Sequence, residues 1–241
     1  IGGTTSDVGY IKAGFPRQSA IATDVGGVRT NFRMPDIISI GLGGGSLIRD
    51  NGNKVGPDSV GYRLTEKALV FGGDTLTATD IAVKHYDLDI GDKSLLNKLD
   101  DSTVKNAKQE ITRLLEEAVD KMKTSAENVP AVFVGGGTIL NKENLNGISE
   151  LVIPDNFAVA NAVGAALGQV SGEVDRVFHY EKLGREKTIE QASNEAKQLA
   201  KEAGAKESSI EINEINENPL AYLPGKSVRL QIKAIGDLEN Y

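Results

Sequence analysis

Apolar positions along this chain change their period twice. Over the first 70 residues they come in short runs broken by glycine, at 8–11, 28–34, 37–42, 46–49 and 68–71, which predicts strands joined by tight turns. In the run 28–34 alternation puts Arg29 and Arg33 on one face, a pair that either meets a substrate carboxylate or, as the favoured reading, keeps a strand edge soluble. From Thr77, a predicted N-cap, the spacing turns helical over 78–85 and again over 103–123. There Val104, Ala107, Ile111, Leu114, Leu115, Ala118 and Met122 recur at three and four. The run 130–134 ends in Gly135, Gly136 and Gly137 and predicts a buried strand opening onto a loop. A strand at 151–153 and an Ala- and Gly-rich helix at 157–170 follow, with Ala160, Gly164 and Leu167 on one stripe. Then the character changes. A charged helix at 186–203, with Ile189, Ala192, Ala196 and Leu199 inward and Gly204 as its stop, precedes strands at 209–215 and 227–234. The reading is an α/β domain over 1–175 with a small α+β appendage over 176–241.

Composition narrows the partners. The formal charge is -7, and a phosphate backbone or an anionic membrane needs basic surface, so neither is expected as the main partner. Any phosphate must therefore be held locally, by backbone donors. The chain has no cysteine, which removes disulfides, thiolate catalysis and Cys-ligated zinc and fits a reducing compartment, here taken as the cytoplasm. His85 and His179 stand far apart with no Asp, Glu or Cys at ligand spacing, so no transition-metal site is expected. Asp58 and Asp80 follow turn or cap residues, and capping is their expected role.

Candidate chemistry lies in the glycine clusters. At the N-terminal end, Gly2 and Gly3 allow a tight turn that points successive N–H groups at an anion, and Thr4, Thr5 and Ser6 add hydroxyl donors. Asp7 is the nearest carboxylate. Capping its own turn is one reading of it. The cluster from Gly41 to Ser46 either presents N–H groups to a substrate or forms a plain hairpin or bulge.

The order of a glycine turn, a strand, a second strand closing on Gly135-Gly136-Gly137-Thr138 and then an Ala/Gly helix resembles the C-terminal half of the actin/sugar-kinase/Hsp70-like (ribonuclease H-like) ATPase fold. Within that fold the chain resembles the hydantoinase/oxoprolinase family, in its hydantoinase A-type subunit, over essentially its whole length. Six segments carry the likeness: residues 1–8; Val25-Gly26-Gly27-Val28-Arg29 with Met34-Pro35-Asp36; residues 39–46; residues 55–61; Phe71-Gly72-Gly73 with Thr77-Ala78-Thr79-Asp80; and residues 160–166.

The resemblance implies an ATP- and Mg²⁺-dependent enzyme that activates a cyclic amide, 5-oxoproline or a hydantoin, by phosphorylating its oxygen so that water opens the ring. Gly2, Gly3, Thr4 and Thr5 would then hold the β- and γ-phosphates, and Gly135, Gly136 and Gly137 would lie against adenine and ribose. Asp7 would be the catalytic and metal-holding carboxylate. In the family an Asp normally precedes the first turn, whereas Ile1 stands there here. The resemblance also implies a second, N-terminal half that supplies the rest of the ATP cleft, so the chain alone is expected to be a fragment with little or no turnover. A second hydrolase subunit is a further implied partner. An ATP-holding sensor without ring opening, and a carboxylase-type relative, are the alternative functions.

Overall fold

The computed structural model describes residues 1–12, 14–19, 24–25, 28–29, 34–223 and 226–239. Gly26 and Gly27, Arg33, the side chain of Arg29 and most of the strand expected over 28–34 lie outside the described residues. The fold is mixed α/β and divides into two compact units, Ile1–Ala160 and Asn161–Tyr241. That division falls inside an Ala-rich helix, ahead of the change in character at 175/176 read from the sequence. Among the described residues no helix is long and apolar enough to cross a membrane.

The first unit contains β1 (Ser6–Gly9), β2 (Ile11–Lys12), β3 (Phe15–Pro16), β4 (Asp24–Val25), β5 (Val28–Arg29), β6 (Ile37–Ile40), β7 (Ser46–Arg49), β8 (Lys54–Ser59), β9 (Val129–Val132) and β10 (Ile148–Val152). Its helices are α1 (Leu64–Lys67), α2 (Ala78–Tyr86) and α3 (Asp101–Met122). β1 pairs antiparallel with β6, β7 with β8, and β9 lies parallel to β10. α3 begins where it does because the Asp100 carboxylate accepts the Thr103 N–H at 3.3 Å, leaving one fewer orphan donor in the first turn. Of its predicted stripe, Val104, Ala107, Ile111, Leu115, Ala118 and Met122 are buried and Leu114 is half-buried. Val104, Ala107, Ile111 and Leu115 pack with Leu42, Ile81, Leu140 and Ile148 in one core, where each fully buried Leu or Ile contributes about 1.5–3 kcal/mol.

One expected strand is not formed. Residues 68–71 make a 3-10 turn, Leu69–Phe71, because the Asp80 carboxylate takes the N–H groups of Leu69 at 3.3 Å and Val70 at 2.7 Å and bends the chain around itself. Conversely, β8 carries Gly56 and Pro57, which weaken strand propensity; pairing with β7 alone makes it an edge strand, where a residue without an N–H is tolerated.

The second unit follows α4 (Ala160–Ala166), which ends earlier than the helix expected to 170. Beyond Gly168 the period becomes two, and β11 (Gln169–His179) turns Val170, Gly172, Val174 and Phe178 inward. After α5 (Tyr180–Leu183), α6 (Arg185–Glu202), β12 (Glu211–Pro219) and β13 (Ser227–Asp237), the sheet has β13 in the centre, antiparallel to both neighbours. α6 covers it through Ala192, Ala196 and Ala200. The approach is close: a Cβ on Gly172 would lie 2.2 Å from both Ala196 O and Ala200 N. That closeness selects small residues, so Ala200 takes the inward place expected for Leu199, which is 38% exposed.

Candidate functional site

Three glycine clusters, far apart in sequence, meet at the head of β1. The Gly2 N–H closes the first turn on Thr5 O at 2.9 Å, leaving Gly2, Gly3, Thr4 and Thr5 exposed on one side. On the other side lies the buried cluster Gly43–Gly45, whose Gly44 and Gly45 N–H groups donate to Gly2 O at 3.0 Å and Gly3 O at 2.7 Å. Contact is backbone on backbone. A Cβ on Gly43 would sit 2.5 Å from Thr4 N and 2.6 Å from Gly3 C, below any real contact distance, so only glycine allows this approach.

The third cluster clasps Ile1. The Ile1 nitrogen donates to Val134 O at 2.7 Å, and the Gly137 N–H donates to Ile1 O at 2.9 Å. A Cβ on Gly137 would fall 2.6 Å from Gly2 O. Gly135 spends its N–H on Phe157 O at 2.6 Å, while Gly136 is exposed with open space around it.

This arrangement decides which N–H groups are left for a ligand. Gly43 donates to Ser46 Oγ at 2.9 Å, so with Gly44 and Gly45 the whole second cluster is consumed internally. These three glycines buttress the turn, and their N–H groups are not the ones a ligand would meet. Among the described residues the N–H groups of Gly3, Thr4 and Thr5, and the hydroxyls of Thr4 and Thr5, have no protein partner. Adjacent unspent donors on an exposed turn form a cradle for an oxyanion.

The buttress is itself held from two sides. Thr79 at the start of α2 donates to Gly44 O from its N–H and its Oγ1, both at 2.9 Å. Thr77 and Asp80 form a capping box that fixes this helix end. Asp80 is wholly buried; burial pushes its carboxyl up, while hydrogen bonds from Val70, Thr77 and Leu69 pull the other way. From the other side Ser59 donates to Gly3 O at 3.3 Å and accepts from the Gly61 N–H at 3.1 Å, and the Val60 N–H reaches Gly45 O at 2.9 Å. Neither Ser59 nor Ile1 points to this contact by its residue type, although both lie within the six family-like segments. Asp58, expected as a cap, pairs instead with Arg49 at 2.7 Å.

Asp7 lies two residues beyond the turn, exposed, with its carboxylate accepting from Ser39 Oγ across the β1–β6 ladder. It also lines an apolar cavity of about 430 Å³ between β1 and β9, floored by Leu115, Val119 and Met122 of α3. Among the described residues no group of three or more His, Asp or Glu side chains converges as a metal site. Asp7 is the carboxylate nearest the turn in sequence, and Mg²⁺, which keeps most of its waters, asks for few protein ligands.

The hydantoinase/oxoprolinase family matches residues 1–129, more than half of the chain, and the chain belongs to that family. Comparison with curated protein sequences gives no match. Solved structures that share the fold include two ATP-dependent enzymes. One is nucleotide-free acetone carboxylase, from work on ATP-dependent acetone carboxylation, at 18% identity and a TM-score of 0.57. The other is the ATP-dependent caprolactamase from Pseudomonas jessenii, at 17% identity and a TM-score of 0.61. Each alignment covers 100% of this chain but 46% of the other, so the chain spans about half the length of both.

Proposed function

We propose that this chain is the lobe of an actin-like ATPase fold that grips the phosphates of ATP in an enzyme opening a cyclic amide, such as 5-oxoproline or a hydantoin. The observation that carries this reading is the exposed turn with unspent N–H groups at Gly3, Thr4 and Thr5, set by the buried Gly43–Gly45 cluster and by the Gly137 N–H on Ile1. In a chain of net charge -7, such a backbone cradle is the chemistry that would hold a polyphosphate. Gly136 offers an open face to the nucleoside, while Gly135 and Gly137 fix the turn around it. Asp7 would hold Mg²⁺ through water or orient the attacking group. ATP would supply the phosphoryl group that makes an inert amide carbon electrophilic. The residues of this chain contribute alignment and charge neutralisation, the main requirements of phosphoryl transfer.

The reading takes residues 1–175 as the nucleotide lobe and 176–241 as an appendage. A second half closes the cleft, and a second hydrolase subunit is a further partner. Coverage of 46% of each solved neighbour supports the two-lobed account. A cytoplasmic location goes with it.

The likeness to acetone carboxylase favours one specific alternative, a carboxylase in which the same lobe activates bicarbonate or a ketone. ADP release by the two-lobed protein, measured against 5-oxoproline, a hydantoin, a lactam, and acetone with bicarbonate, separates the readings. Stimulation by a cyclic amide with ring-opened product is the expected result. Stimulation by acetone with bicarbonate alone assigns the carboxylase, and nucleotide binding without any stimulation assigns an ATP sensor.

A further inference from the structure

A second concave surface lies away from the glycine turns, between the C-terminal end of α2, the first half of α3 and Glu143, with a cavity of about 370 Å³. That is within the ~300–1,000 Å³ typical of small-molecule sites. Its floor is Lys108, whose side chain is 8% exposed and whose ammonium meets Thr112 Oγ1 at 2.9 Å, Asn141 Oδ1 at 2.8 Å and Glu143 at 3.5 Å. The other Glu143 oxygen stands 3.6 Å from His85 Nε2. Both of these charges are therefore answered within the protein.

What remains around the cavity is not neutral. Lys84 and Lys105 line it and, among the described residues, neither has a partner; the amide of Gln109 is likewise unspent. Asp101 is the one other carboxylate of the lining. Two unanswered ammonium groups against one carboxylate give a locally positive hollow on a chain of net charge -7, and a concave low-dielectric wall concentrates such a field. We propose that this hollow is a second binding site, for a small dianion, with Lys84 and Lys105 taking the charges and Gln109 donating from its amide.

The site is independent of the nucleotide reading. Calorimetric titration of the 241-residue chain with succinate, with inorganic phosphate and with acetate tests it. Saturable binding of one or both dianions, without acetate binding, is expected. Phosphate alone points to a phosphorylated ligand, and succinate to a dicarboxylate. The double variant K84E/K105E, with its fold checked by circular dichroism, is expected to bind at least about tenfold more weakly, since each reversal turns an attraction into a repulsion. If that variant unfolds, Lys105→Gln, an exposed position, is expected to weaken binding in the same direction. No saturation by either dianion up to about 10 mM overturns the proposal. So does unchanged affinity in the variants, which would assign any phosphate binding to the Gly2–Thr5 turn instead.

Discussion

Adding one methyl group at Gly43 separates the work of the buttress from the work of the cradle. In Gly43→Ala the new Cβ would start 2.5 Å from Thr4 N, 2.6 Å from Gly3 C and 2.8 Å from Gly2 O, against an ordinary contact of 3.4 Å or more. All three neighbours are backbone, so relief requires the Gly2–Thr5 turn to move by roughly 0.9 Å, the difference between 3.4 and 2.5 Å. Overpacking of this kind costs about 1–3 kcal/mol of stability, and a displacement near 1 Å in a positioned site costs on the order of a hundredfold in function. Gly3→Ala is the counterpart. Nothing lies within 4 Å of its Cβ and the residue is exposed, so the fold should be unchanged while the methyl group stands where an anion would approach. Thermal unfolding and Mg-ATP calorimetry on both variants give the result: Gly43→Ala loses stability and affinity together, and Gly3→Ala loses affinity alone. Full affinity in Gly3→Ala, or a Gly43→Ala protein as stable as the parent, would refute the reasoning.

Other consequences follow from packing and charge. Asp80→Ala leaves the N–H groups of Leu69, Val70 and Thr77 without their acceptor and should cost about 3 kcal/mol in denaturant unfolding; a loss under about 1 kcal/mol would contradict its role as the anchor of α2. Gly172→Ala places a Cβ 2.2 Å from the α6 backbone and should lower the unfolding midpoint of the second unit by lifting that helix, at about 1–3 kcal/mol. Tyr180 is pushed up to about 12, first by burial and then by the Glu217 carboxylate that accepts its hydroxyl. Its folded form keeps the proton after the unfolded form has lost it near 10, so its stabilising contribution is present below pH 10 and is lost between pH 10 and 12. Stability curves should show that loss flattened in Tyr180→Phe. Glu217 is held below the usual carboxylate range by Arg185 and then Tyr180, so its contribution is present at neutral pH and disappears in acid as pH falls through its lowered value.

Periodicity made the two large amphipathic helices legible, because Val104 to Met122 and Ile189 to Ala196 repeat at a spacing that only a helix places on one face. Where the sequence misleads, a distant contact decides the local shape. Residues 68–71 read as a strand until Asp80 draws two of their N–H groups into a turn. Leu199 reads as inward until the backbone approach at Gly172 favours Ala200. β11 was hidden because its inward positions include a glycine and its outward ones are Ser171, Glu173 and Asp175, a pattern with little apolar signal. The glycine clusters were visible as residues, but their division of labour was not. Nothing in Gly43-Gly44-Gly45 itself distinguishes donors spent on Gly2 and Gly3 from donors free for a ligand. That follows only from the close approach of chain segments some forty residues apart, and Ser59 and Ile1 join the site for the same reason.

The most direct test of the central claim is an amide NMR titration of the ¹⁵N-labelled chain with Mg²⁺ and a non-hydrolysable ATP analogue. The account predicts that the resonances of Gly3, Thr4 and Thr5 move first and furthest, with Gly136 following and the consumed donors Gly44 and Gly45 moving less. Nucleotide that shifts other amides while Gly3, Thr4 and Thr5 stay in place would contradict it.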